Sequence, residues 1–143
     1  MVGTVVFEGK TWITHEPDVV LVESSLPWNL ENLRRILTAA LLAPEEVGQK
    51  RPLLMPIRSQ NWDSSAEPLM SAAVVFTSMG NSFGNRVAFV MNQGLQHRIG
   101  LALQAYLEME GVECGIFLSE NEARLWLAAA RNRSPSLRFS IRP

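Results

Sequence analysis

The chain has 143 residues, 47% of them hydrophobic and 19% charged, the latter below the ~25% usual in soluble domains. Thirteen basic residues against fourteen acidic ones leave a net charge of −1, which excludes general polyanion binding and supplies no long-range steering field. The lone Cys114 excludes an internal disulfide and any multi-cysteine metal site, and reads as a small core hydrophobe. The length suits one domain, assigned to residues 1–130, followed by a basic tail over 131–143 that carries Arg131, Arg133, Arg138 and Arg142 without an acidic residue. Met1-Val2-Gly3-Thr4 lacks the basic start and long apolar run of a signal peptide, and no window offers 18 uncharged apolar residues. A soluble, cytoplasmic protein with no membrane span is the expectation.

In chain order, Thr4 to Phe7, Thr11 to Thr14 and Asp18 to Glu23 read as short strands rich in β-branched residues, an antiparallel meander. Asn29 is placed to cap a helix running to about Ala43, with Leu30, Leu33, Leu37, Ala40 and Leu41 on one face. Arg51 to Ile57 reads as a strand whose two prolines, Pro52 and Pro56, suggest an edge or a bulge. Ser64 and Glu67 fit a capping box for a helix reaching Met79, with Leu69, Met70, Ala73, Val74 and Thr77 on the predicted core side. Gly80 to Gly84 is a turn.

The second half is the most regular. An apolar run over Arg86 to Met91 precedes a helix from Leu95 to Met109 that carries Leu95, Ile99, Ala102, Leu103, Tyr106 and Leu107 on one face. Gly111 stands where a left-handed residue closes such a helix. A strand from Val112 to Leu118 follows, then a helix from Ser119 to Ala130, opened by a Ser119–Glu122 capping box and striped with Ala123, Trp126, Leu127 and Ala130. Within the tail, Leu137 to Ile141 could add a strand. The order β-β-β-α-β-α-β-α-β-α predicts an α/β fold, a mixed sheet with an N-terminal antiparallel meander and a parallel β-α-β core.

Reactive constellations are sparse. His15 and His97 form no pair at helix-face spacing and have no carboxylate cluster beside them, so no metal site is expected. Ser64, His97 and Asp63 could be assembled into a hydrolytic triad, but no G-x-S-x-G elbow is present. The glycines match neither a phosphate loop nor a dinucleotide fingerprint, so no cofactor is expected, and the scattered arginines of the tail do not make a nucleic-acid site. Position is more informative. Ligands of open α/β sheets sit beyond the carboxyl ends of the parallel strands. Those ends collect Trp28, Arg58, Trp62, Asn92, Gln93 and His97, which are the candidate ligand- or partner-binding residues. The competing reading folds both tryptophans back over the core.

The strand Arg86 to Val90, the helix containing Gly100 and Gln104-Ala105-Tyr106, the strand Gly111-Val112-Glu113-Cys114-Gly115-Ile116-Phe117 and the helix Glu120-Asn121-Glu122-Ala123-Arg124-Leu125-Trp126-Leu127 together resemble the SpoIIAA-like group of the STAS and Sec14-like superfamily. The likeness covers about residues 86–130 in detail and the remainder only in topology. It implies a bacterial-type, STAS-like regulatory module that binds a protein partner without catalysis, or alternatively carries a small apolar or lipid-like ligand, with Met55, Met70, Val74 and Phe76 available to line a pocket. A hydrolase is the remote third reading. The resemblance also implies a phosphorylated serine in a D-S-x-G-like sequence. Here Asp63-Ser64 lacks the glycine, so Ser64 and Ser65 stand as candidate phosphorylation sites only against the stronger reading that helix capping fully explains both.

Overall fold

The structure is a computed structural model that describes residues 3–7, 10–41, 50–58, 61–62, 66–91 and 94–131, with the side chains of 3–7, 95–96 and 130–131 not described. Six strands form one sheet in sequential order: β1 (Gly3–Phe7), β2 (Thr11–His15), β3 (Val20–Ser24), β4 (Leu53–Pro56), β5 (Arg86–Val90) and β6 (Glu113–Phe117). The first two pairings are antiparallel and the remaining three parallel, so the predicted α/β mixed sheet is the observed one.

Parallel neighbours joined in sequence need crossovers of one hand, which puts all the connecting helices on one face. Those helices are α1 (Leu30–Leu41), α2 (Glu67–Met79) and α3 (Leu95–Met109), and under them lies the larger apolar core. The last helix, α4 (Glu120–Arg131), follows the final strand and crosses to the other face, where Ala123 and Leu127 pack on Val19, Leu54 and Ala88. Strand alternation sorts the side chains accordingly. Thr11, Ile13 and His15 are buried, whereas Trp12 between them is exposed. Cys114 is buried on the larger-core side, where desolvation first and Glu108 second push its thiol pKa up.

The helix signals mostly hold. Asn29 Oδ1 accepts the Asn32 amide at 2.8 Å, which caps α1 as expected. Ile36 takes the place predicted for Leu30 and Leu41, which lie at the helix ends and are partly exposed. Ser119 caps α4, its Oγ accepting the Glu122 amide at 3.2 Å and donating to that carboxylate. Gly111 adopts φ +89° after α3. Gly80–Phe83 is a 3-10 turn with Phe83 buried, and Gly84 closes it at φ +69°.

Three expectations need correction. β4 is not an edge strand: it sits between β3 and β5, four residues long, with Pro52 before it and Pro56 at its end. The Ile57 amide bonds Val90, so Pro56, one residue earlier, turns its missing donor toward β3. Pairing with β3 accordingly ends at Leu21–Leu54 while pairing with β5 runs on to Pro56–Val90. Second, α2 begins at Glu67, with Ala66 rather than Ser64 as its N-terminal residue; Ser64 and Ser65 lie outside the described residues. Third, α2 is turned the other way. Pro68, Ser71, Ala72, Val75 and Phe76 are buried, while Met70 and Val74 are exposed. The tail strand over Leu137 to Ile141 also falls outside the described residues.

Candidate functional site

The carboxyl ends of β3, β4, β5 and β6 lead into the loops where the candidate residues were expected. Asn92 and Gln93 lie outside the described residues; Trp28, Arg58, Trp62 and His97 lie within them. The structure divides the two tryptophans. Trp28 is a core residue, 2% exposed, its ring centroid 5.8 Å from Phe76 and 5.7 Å from Phe89. It therefore offers no surface to a partner. Trp62 is half-buried and packs on Trp28 at 5.3 Å between centroids. One indole supports the other, so the folded-back reading holds for Trp28 and half holds for Trp62.

What fixes these loops is Asn61, which the local sequence pattern did not single out. Its Nδ2 donates to the carbonyls of Ser24 at 3.0 Å and Leu26 at 2.6 Å, and its Oδ1 accepts the Arg58 amide at 2.8 Å. The Asn61 carbonyl accepts the Trp28 amide at 2.9 Å. One side chain, 1% exposed, thus ties the loop after β3 to the loop after β4. No periodicity could announce it, because its partners lie 35 and 37 residues away.

Around this staple the polar groups are incompletely matched. Trp62 Nε1 and His97 Nδ1 are both buried atoms with no hydrogen-bond partner. A buried N–H without an acceptor costs about 1–3 kcal/mol, so such atoms are normally rare. Arg58 is exposed and lies 3.6 Å from the Glu23 carboxylate, a loose pair that leaves its guanidinium open to water. The indole N–H and the guanidinium can only donate, whereas His97 Nδ1 donates or accepts according to its tautomer. They do not make a nucleophile–base pair. Among the described residues, no group of three His, Cys, Asp or Glu is arranged to hold a metal ion.

A second polar cluster lies where β2 ends and β4 begins. Arg51 is buried and donates through Nη1 to the Glu16 carbonyl at 2.5 Å, and its Nη2 lies 3.1 Å from His15 Nδ1. A guanidinium only donates, so His15 Nδ1 accepts and the ring proton resides on Nε2, which is buried and unpartnered. Burial, then the Arg51 charge, holds the His15 pKa below its ordinary 6.5. The Glu16 carboxylate meanwhile receives both Arg124 Nη atoms at 2.7 and 2.8 Å. That pairing, the largest influence on it, holds the Glu16 carboxyl below its ordinary 4.5 against the opposing effect of burial, and it ties α4 to the β2–β3 turn. Sequence reasoning saw His15 only as a neighbour of a turn.

The pocket anticipated from Met55, Met70, Val74 and Phe76 is not assembled. Met55 and Phe76 are core residues, whereas Met70 and Val74 face outward. These last two line instead an open apolar groove of about 420 Å³ between α2 and α3, with Leu69, Ala73, Ala102 and Tyr106.

The fold is α/β, built on a mixed sheet with parallel β-α-β units, and among the described residues no helix is long and apolar enough to cross a membrane. No protein-family model, no curated protein and no solved structure matches the chain.

Proposed function

We propose that the chain is a non-enzymatic, SpoIIAA-like regulatory module of the STAS and Sec14-like type that binds a protein partner in the cytoplasm through the carboxyl edge of its parallel strands. The observation that carries this reading is the pair of buried, unpartnered ring nitrogens on Trp62 and His97 at the edge where such sheets bind. A partner backbone or carboxylate that displaces the groups covering Trp62 Nε1 accepts the indole proton and recovers part of the cost of its burial. Arg58 adds a charge at the rim. The element order and the residues over 86–130 that resemble the family support the same class.

The test is affinity capture from the host, followed by calorimetric titration of the captured partner against the wild type, Trp62→Phe and His97→Ala. Phenylalanine keeps a ring on Trp28 and deletes only the donor. The expected result is at least a tenfold loss of affinity for Trp62→Phe with an unchanged melting temperature. Equal affinities for all three proteins would overturn the proposal. Native mass spectrometry that finds an apolar ligand retained in stoichiometric amount would favour the carrier reading instead.

A further inference from the structure

Helix α2 has a composition that its position does not explain. Of its 13 residues only Glu67 is charged, and the polar remainder is Ser71, Thr77 and Ser78. So apolar a helix is expected to be largely covered. Yet Met70 is 64% exposed and Val74 48%, and alongside them on α3 Leu101 is 46%, Tyr106 44% and Met109 82% exposed. By contrast, α1 on the same side of the sheet turns Glu31, Arg34, Arg35 and Thr38 to solvent. On this side of the sheet the most exposed large apolar side chains therefore lie on α2 and α3, with Leu30 and Leu41 at the two ends of α1 exposed to a smaller degree. Of those on α2 and α3, Met70, Val74 and Tyr106 belong to stripes whose periodicity marks them as core in the sequence.

We infer that this face is covered by a second copy of the chain, the two copies packing α2 and α3 about a twofold axis. Three observations select that occupant. The first is charge. On the outward side of α3, Arg98 stands near the amino end and Glu108 and Glu110 at the carboxyl end, all exposed. A twofold axis level with Leu103 lays the two α3 helices antiparallel, so Arg98 of one copy meets Glu108 of the other, twice over. An isologous contact has to be self-complementary in this way.

The second is shape. The same axis sets Leu101 opposite Ala105 of the second copy, with exposed Ala102 and Ala105 at the crossing where backbones come closest. The third is area. Met70, Val74, Leu101, Tyr106 and Met109, each between 44% and 82% exposed, together present on the order of 500 Å² of largely apolar surface. That lies in the upper part of the roughly 300–600 Å² of a monomer's largest apolar patch, the size at which such patches are often functional. With the alanines and the charged rim it approaches the ~800 Å² per partner of a standard interface.

The test is analytical ultracentrifugation of the full chain from about 1 to 100 μM, for the wild type, Val74→Asp, Arg98→Glu and the double variant Arg98→Glu/Glu108→Arg. All three positions are exposed, and circular dichroism with thermal melting verifies folding. The expected result is a dimer for the wild type, a monomer for Val74→Asp, at least a tenfold weaker dimer for Arg98→Glu, and recovery in the charge-swapped double variant. In parallel, Ala102→Cys should crosslink between copies under mild oxidation, since Cys114 is buried. A wild type that stays monomeric at 100 μM overturns the inference. So does a dimer indifferent to Val74→Asp, or one weakened by Arg98→Glu and not restored by the swap.

Discussion

Replacing Asn61 with alanine tests the joint that holds the candidate site together. The substitution deletes three hydrogen bonds, to the carbonyls of Ser24 and Leu26 and from the Arg58 amide. The two carbonyl bonds are buried; the Arg58 bond is only partly so, and water can replace it. An orphaned buried backbone group costs about 1–3 kcal/mol. Water entering the space left by the amide recovers some of this, so the expected loss is about 2–4 kcal/mol. An unfolding entropy of about 2.1 cal/mol/K per residue converts that to a fall of roughly 6–13 °C in Tm. Asn61→Asp should cost more at neutral pH, because a carboxylate then faces the carbonyls of Ser24 and Leu26 in place of a donor. Urea denaturation read by tryptophan fluorescence measures both, with an unchanged m-value as the two-state check. A loss for Asn61→Ala within about 0.5 kcal/mol, the range of ordinary surface substitutions, would refute the role given to this residue.

Two further outcomes follow from other parts of the molecule. The His15 pKa is depressed in the fold, so the unfolded chain takes up the proton first; its contribution is full above pH 6.5 and is lost as pH falls from there toward the lowered folded value. Glu16 is also depressed, so its contribution, full above about pH 4.5, is lost on further acidification. Denaturation midpoints should therefore fall in two stages on acidification; His15→Asn, which keeps an acceptor for Arg51, should flatten the upper stage, and Glu16→Gln the lower. A slope below pH 6.5 that survives His15→Asn refutes the assignment. Gly115→Ala should destabilise by about 1–3 kcal/mol, because a Cβ there would meet the Phe117 ring at 2.5 Å and Trp126 at 3.2 Å; a thermal melt unchanged from the wild type would show that the rings can give way.

The element order was legible because each element carries its own period. β2 and β3 alternate, α1 and α4 have a charged face against an apolar one, and Asn29, Ser119 and Gly111 mark helix ends by local chemistry. The orientation of α2 was not legible, since periodicity assigns a face only where a polar one opposes it, and one charge in thirteen residues leaves both sides equally plausible. The centrality of β4 was hidden because prolines usually mark edges, and here they bound a strand short enough to lie between two others. At the candidate site, the pattern named Arg58 and Trp62 in the loop after β4. It could not rank Trp28 against Trp62, nor find Asn61, since burial and pairing across more than 30 residues leave no mark on a local window.

These long-range ties bear directly on the proposed binding. An interface made from free loops has to order them, at about 0.5–1.5 kcal/mol for each side chain immobilised. Here the loop after β3 is held by Ser24 Oγ, which accepts the Leu26 amide at 3.1 Å, and by Asn61, while Trp62 rests on a Trp28 ring packed against the Phe76–Phe89 pair. The indole of Trp62 is thus set in place by the core before any partner arrives, and its unpaired N–H is a fixed direction, not one rotamer among several. In such an arrangement a substitution at Asn61 acts on affinity as well as on stability. The Asn61→Ala protein, held well below its melting temperature so that it remains folded, should bind the captured partner more weakly than the wild type does. The loss belongs to the preorganisation of Trp62 rather than to any contact made by Asn61 itself, which is buried beneath the surface that the partner would touch.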